Sequence, residues 1–185
     1  MKKSETESEL ETQKQELIAA LKACGAVRYG DFTLASGKKS KYYIDIKRAS
    51  TDPKTLKLIA QQVASRIKQM DVDIVAGVEL GGVPLATAVS LETELPLLIV
   101  RKAVKDYGTK SRFVGDIKPK NRLVILEDVT TSGGSVRDAI DVIRETGASV
   151  KYVISVVDRE EGAKENLNEA GTELIPLVSA SDLLK

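Results

Sequence analysis

At 185 residues, with a net charge of +1, 42% apolar and 30% charged residues, the chain is long enough to bury a core and too neutral to attract nucleic acid by its overall field. It has no histidine and a single cysteine, Cys24, which excludes Ser-His-Asp and Cys-His catalysis, His-ligated or Cys-rich zinc sites and an intramolecular disulfide. Any chemistry therefore rests on carboxylates, lysines, hydroxyls or a hard metal ion. No run approaches the roughly 18 apolar residues of a membrane span, and the opening "MKKSETESELETQKQ" has no signal-peptide core. The sequence reads as one cytoplasmic domain spanning 1–185.

The first residues are polar, and a tail over 1–12 is expected to fray. Apolar spacing at Leu17, Ile18, Ala20 and Leu21, closed by Gly25, predicts a short helix beginning somewhere before Leu17. "DFTLASGKKSKYYIDIK" alternates around a glycine like two short strands joined by a turn. Over 53–70, a proline at the start and Leu56, Ile59, Ala60, Val63, Ala64 and Ile67 at helical spacing predict an amphipathic helix. Strand-like apolar runs follow at 73–78, 95–102, 122–129 and 150–158, with helical patterns at 83–91 and 135–146. Runs apolar on both faces and alternating with helices argue for an α/β fold, a mostly parallel sheet covered on both sides. Ligands of such sheets sit at the carboxyl ends of the strands. Glu79, Arg101, Glu127, Asp128 and Asp158 stand at or just past those ends.

The stretch "LVILEDVTTSGGSV" at 123–136 runs from a buried strand through two adjacent acids into a loop of hydroxyl and glycine residues ahead of a helix. Backbone N–H groups, hydroxyls and a helix N-terminus together favour phosphate. Neither G-x-x-x-x-G-K-[ST] nor G-x-G-x-x-G occurs, so this is not a nucleotide P-loop or a dinucleotide fingerprint. The acids would repel a phosphate placed beside them but accept hydrogen bonds well from a diol. The expected ligand thus carries a phosphate at one end and hydroxyls nearby, as a ribose 5-phosphate does. The plainer reading makes the acids helix-entry residues and the loop a cap, although caps use one such residue and rarely six in a row.

This stretch closely resembles the phosphoribosyl pyrophosphate (PRPP) motif of type I phosphoribosyltransferases. The resemblance implies that family's fold, a central mostly parallel sheet flanked by helices with a small N-terminal hood, here at 17–50, and a core with the PRPP site at 72–160. It implies that Glu127 and Asp128 bind the ribose 2- and 3-hydroxyls, Asp128 being also a catalytic residue. Thr130, Thr131, Ser132, Gly133, Gly134 and Ser135 would cradle the 5-phosphate, with Val129 also among the PRPP-binding residues. "GVELGGVPLA" at 77–86, on its own a tight turn with close helix packing, looks like the pyrophosphate loop of the same family. Backbone N–H groups of Leu80, Gly81 and Gly82 would then face the leaving group.

"VRKAVKDYGTKSRFVGD" at 100–116 is cationic at Arg101, Lys102, Lys105, Lys110 and Arg112. Its part from 105 to 115 has two glycines and no clear period, so it is expected to move. It resembles the catalytic loop R-K-x-x-K-x-H-G of orotate phosphoribosyltransferases at Arg101, Lys102, Lys105 and Gly108, with Tyr107 in place of the histidine. The resemblance implies a homodimer whose loop closes over the partner's site, with PRPP contacts from Arg101, Lys102, Lys105 and Tyr107. Lys105 would be the main transition-state group, neutralising the departing pyrophosphate.

"FTLASGKKSKYYIDIKRAS" at 32–50 resembles the signature F-x-L-x-S-G-x-x-S-x-x-Y-x-D of the same enzymes at Phe32, Leu34, Ser36, Gly37, Ser40, Tyr43 and Asp45. Ala35 stands where many members carry a lysine, and Lys47 is a candidate substitute. In "SVVDREEGA" at 155–163, Arg159 is implied to pair with the orotate carboxylate, with Tyr43 and Thr131 completing the orotate site. The implied reaction is orotate plus PRPP giving orotidine 5-phosphate and pyrophosphate in UMP biosynthesis, with Mg²⁺ held mainly by PRPP. Two other readings stay open, a PRPP-sensing regulator of the same fold and a purine phosphoribosyltransferase. No nucleic-acid partner is expected, since no DNA-binding helix pair precedes Leu17 and no basic stripe lies outside the loop.

Overall fold

The computed structural model describes residues 2–33, 39–103 and 111–184. Helix α1 (Lys2–Ala23) is far longer than the short one expected and takes in the polar stretch over 2–12 that was expected to fray. Its apolar residues Leu17, Ile18 and Leu21 are buried. The Glu-, Gln- and Lys-rich half before them has good helix propensity, a signal that apolar periodicity does not carry. Strands β1 (Val27–Thr33) and β2 (Lys39–Ile44) pair antiparallel as a separate two-stranded sheet, from Val27 opposite Ile44 to Thr33 opposite Lys39. The expected turn between them falls on residues 34–38, among them Leu34, Ala35, Ser36 and Gly37, which lie outside the described residues.

A one-and-a-half-turn helix, α2 (Ile46–Thr51), was not anticipated because six residues are too few for a periodic pattern. Asp52 then caps α3 (Pro53–Ile67), its carboxylate accepting from Thr55 N–H at 2.8 Å, with proline in the first turn where no N–H is needed. The remaining elements are β3 (Ile74–Val78), α4 (Gly82–Thr93), β4 (Leu97–Val100), β5 (Phe113–Val114), β6 (Arg122–Thr130), α5 (Gly134–Glu145), β7 (Ser149–Asp158), α6 (Ala163–Glu169), β8 (Glu173–Ser179) and α7 (Ala180–Leu183). Of these, β5, α6, β8 and α7 were not anticipated. β5 is two residues long, and β8 carries Pro176, which demotes a strand reading unless the strand lies at an edge.

Edge is where β8 lies. The large sheet has the order β5-β4-β3-β6-β7-β8, parallel throughout except for the β4–β5 pair. Successive residues of β6 serve opposite faces. Val124 and Leu126 join the core formed with α1, α3 and α4, while Leu123 and Ile125 join the one formed with α5 and α6. Each such fully buried side chain contributes about 1.5–3 kcal/mol of transfer free energy. That two-sided burial is why the strands read as continuous apolar runs.

The chain leaves β3 toward β4 on one side and leaves β6 toward β7 on the other, so the connection order reverses between the adjacent strands β3 and β6. A crevice opens at their carboxyl ends, the position where such sheets take ligands. Among the described residues, no helix is long and apolar enough to cross a membrane.

Candidate active site

The end of β6 delivers both acids to this crevice. Asp128 is 7% exposed; its Oδ1 accepts from Val129 N–H at 2.9 Å, and its Oδ2 lies 3.3 Å from Lys47 Nζ. Glu127 has its Oε2 sealed from solvent with no protein partner. Burial, and then the neighbouring charge of Asp128, push the Glu127 carboxyl up from 4.5 to about 9, against the opposing pull of Lys102 and Lys47. At neutral pH Glu127 therefore keeps its proton. Asp128 in turn holds Lys47 above its ordinary value, against the effect of burial.

Beyond Asp128, residues 129–136 and Glu127 line a cavity of about 250 Å³. Gly133, at φ +79°, precedes the first turn of α5, whose amide groups have no partner within the helix. Thr131, Ser132, Gly134 and Ser135 are exposed around this turn. Thr130 lines the cavity too, but its hydroxyl is buried and donates to Asp158 Oδ1 at 3.0 Å, bracing β6 against β7. Strand alternation decides this, since Thr130 follows Val129 on the opposite face. Asn166 of α6 steadies the loop, its amide donating to the Ser132 carbonyl at 2.7 Å and its own carbonyl accepting from Arg137 at 3.0 Å.

The loop after β3 meets the acids from the other side. A β-carbon on Gly81 would stand 2.2 Å from Asp128 Oδ2, and one on Gly82 would stand 2.3 Å from the Leu126 carbonyl oxygen. The glycines thus serve close approach, at an ordinary helical φ of −65° for Gly81, rather than a left-handed turn. Leu80 projects outward at 68% exposure, and the Glu79–Leu80 peptide bond is cis. Glu79, which carries no role in the sequence reading, accepts from Lys102 N–H at 3.2 Å and ties this loop to the end of β4.

The basic segment divides. Arg101 and Lys102 leave β4 at the rim of the crevice, with Lys102 in electrostatic reach of Glu127. Lys105, Tyr107, Gly108 and Lys110 lie outside the described residues. Arg112, expected within a moving stretch, is instead pinned: its Nε donates to the Arg101 carbonyl at 3.0 Å and its terminal nitrogen meets Asp138 at 2.5 Å. With β5 paired to β4, residues 112–114 form an anchored base for the loop.

Tyr43 stands on the two-stranded sheet at 39% exposure, its ring centroid 5.6 Å from that of Phe32. Arg159 follows β7 and is half-buried; its N–H donates to the Thr130 carbonyl at 2.9 Å and its Nε lies 2.9 Å from Glu161. Among the described residues, no group of three or more carboxylate, histidine or cysteine side chains is gathered to hold a metal ion.

A family model described as a phosphoribosyl transferase domain matches residues 50–172. The chain is 85% identical over 182 residues to the orotate phosphoribosyltransferase of Methanosarcina mazei, covering 98% of this chain and 97% of the relative. It is 57% identical over 171 residues to the enzyme of the same name from Methanocaldococcus jannaschii, covering 92% and 97%. Two solved structures are similar: orotate phosphoribosyltransferase from Aeropyrum pernix, at 33% identity and a TM-score of 0.80 over 91% of this chain and 96% of that one, and that from Mycobacterium tuberculosis in complex with PRPP, at 27% identity and a TM-score of 0.78 over 94% and 99%.

Proposed function

We propose, because this chain belongs to the orotate phosphoribosyltransferase family, that it transfers the 5-phosphoribosyl group of PRPP to orotate, giving orotidine 5-phosphate and pyrophosphate in pyrimidine nucleotide synthesis. The observation that carries the reading is the polar cavity lined by the hydroxyl-glycine loop, with the adjacent carboxyls of Glu127 and Asp128 at the end of β6 beside it. A ribose 5-phosphate matches it end to end. The phosphate takes the amides and hydroxyls of residues 131–135, while the 2- and 3-hydroxyls reach Glu127 and Asp128. An uncharged Glu127 both donates and accepts.

The pyrophosphate lies toward the backbone of Leu80, Gly81 and Gly82, flanked by Arg101 and Lys102. Carbon 1 of the ribose gains oxocarbenium character as the pyrophosphate leaves, so catalysis consists of positioning and charge neutralisation, with Lys105 acting on the leaving group. Asp128 holds the sugar in register through this step. The orotate ring nitrogen reacts as its anion, which makes a histidine base unnecessary. Arg159 receives the orotate carboxylate, and Tyr43 and Thr131 flank the ring.

Mg²⁺ arrives with PRPP, whose oxygens match its preference for hard ligands. Bound with PRPP, Mg²⁺ supplies positive charge to the pyrophosphate oxygens. The protein works as a cytoplasmic homodimer in which the basic loop of one protomer serves the site of its partner.

The test follows the ultraviolet absorbance of orotate with PRPP and Mg²⁺, and repeats it with adenine, guanine and uracil. Loss of the orotate signal that depends on both PRPP and metal is expected. Consumption of a purine in place of orotate would overturn the substrate, and a flat trace from protein that still binds PRPP would favour a regulatory role.

A further inference from the structure

A PRPP-binding site with two adjacent acids faces a ligand carrying several negative charges, and two bare carboxylates would oppose its binding. Burial neutralises one of them, Glu127, whose Oε2 is sealed and unpartnered. The other, Asp128, is ionically paired across 81 residues of sequence. Lys47, on α2, reaches over the crevice to within 3.3 Å of Asp128 Oδ2, and among the described residues it is the cation paired with that carboxylate. The Lys47 side chain is 65% exposed, whereas that of Asp128 is 10% exposed. Asp45 and Tyr43, on the segment leading into α2, lie within its electrostatic reach.

We propose that Lys47 is a positioning residue for PRPP binding: its ammonium cancels the charge of Asp128 and orients that carboxylate, so the incoming polyanion meets a paired acid. This rests on the reading that Asp128 receives a ribose hydroxyl. When the hydroxyl takes a lone pair of Asp128, the ammonium is left beside both the carboxylate and the phosphates, a gain made on binding rather than in the chemical step. The placement of Lys47 directly after the hood strand β2 also couples the hood to the diol site.

Lys47→Met and Lys47→Arg, at an exposed helix position, are compared with the unaltered chain by calorimetric titration with PRPP and Mg²⁺ and by steady-state kinetics. The methionine variant is expected to bind PRPP about tenfold more weakly, with KM for PRPP raised in parallel. Its kcat should stay within about twofold and KM for orotate should be unchanged, since only uniform binding is lost. Arginine should restore most of the affinity. Unchanged PRPP affinity in the methionine variant overturns the proposal, as does an equal loss in both variants, which would make shape the cause. An unaltered chain that binds no PRPP would remove the underlying reading, and the Lys47 proposal with it; one that binds PRPP without consuming orotate would leave the Lys47 comparison intact.

Discussion

Gly81 and Asp128 are in such close contact that any side chain on the glycine would occupy the position of the carboxylate. Gly82 is equally crowded, but by the Leu126 carbonyl of the sheet itself. The neighbouring glycines therefore guard different things. Gly81→Ala is expected to displace Asp128 and lower kcat/KM for PRPP by one to two orders of magnitude, with a small change in melting temperature. Gly82→Ala pushes α4 off β6 and should cost about 1–3 kcal/mol of stability. Thermal melts and initial rates on the two variants separate these effects.

Glu127 and Asp128 should respond differently to amide substitution. With Glu127 held near 9, Glu127→Gln removes little charge from the free site and should retain more activity than Asp128→Asn, which also strands Lys47. Stability follows the same cause. Between the ordinary value of 4.5 and about 9, the folded state binds a proton that the unfolded chain has released, so stability falls as pH rises through that window. Glu127→Gln should therefore melt higher than the unaltered chain at about pH 8, with the advantage vanishing near pH 4. An advantage that persists at the acid end would contradict the assigned protonation.

Arg159 Nε lies 2.9 Å from Glu161 in the free protein, so the substrate carboxylate proposed to meet Arg159 would have Glu161 as a competitor. Arg159→Ala is expected to raise KM for orotate by more than about tenfold, the cost of a charge-assisted pair, with PRPP affinity unaltered. Glu161→Gln should lower KM for orotate modestly by removing the competitor. Initial rates at varied orotate read both.

Lys105→Ala should depress kcat far more than PRPP affinity, because neutralising the leaving group matters only as it departs. Mixed with an Asp128→Asn chain, it should regain part of the lost activity in heterodimers if each site takes its loop from the partner. Mixtures no more active than their separate components would place loop and acids in the same protomer.

Much of the fold is legible along the chain. The runs at 73–78, 122–129 and 150–158 became β3, β6 and β7 with shifts of a residue or so at their ends, because burial on both faces leaves an unbroken apolar signature. The 53–70 helix ends close to its expected limits, with a proline and a capping aspartate marking its start. What escaped notice was short or lacked periodicity: α2, the two residues of β5, α6, the proline-bearing edge strand β8, α7 and the polar half of α1. The loop over 129–135, with Glu127, lines a cavity at the end of β6, a placement that its position between a buried strand and a helix already suggested. The support roles of Asn166 and Glu79 left no local signal, since each partner is contributed by a separate element.

The sequence by itself determined the chemistry available and the ends of the strands where it would be used. The absence of histidine, the adjacent acids and the hydroxyl-glycine loop are properties of composition and order, and they survive in any conformation. Only the tertiary structure decided how those groups behave. It keeps a proton on Glu127 by burying it, turns the Thr130 hydroxyl into the core to meet Asp158, pins Arg112 to Asp138, and brings Lys47 to Asp128. Burial and through-space charge depend on distances between residues far apart in the chain, and packing of the sheet and its helices is what sets those distances.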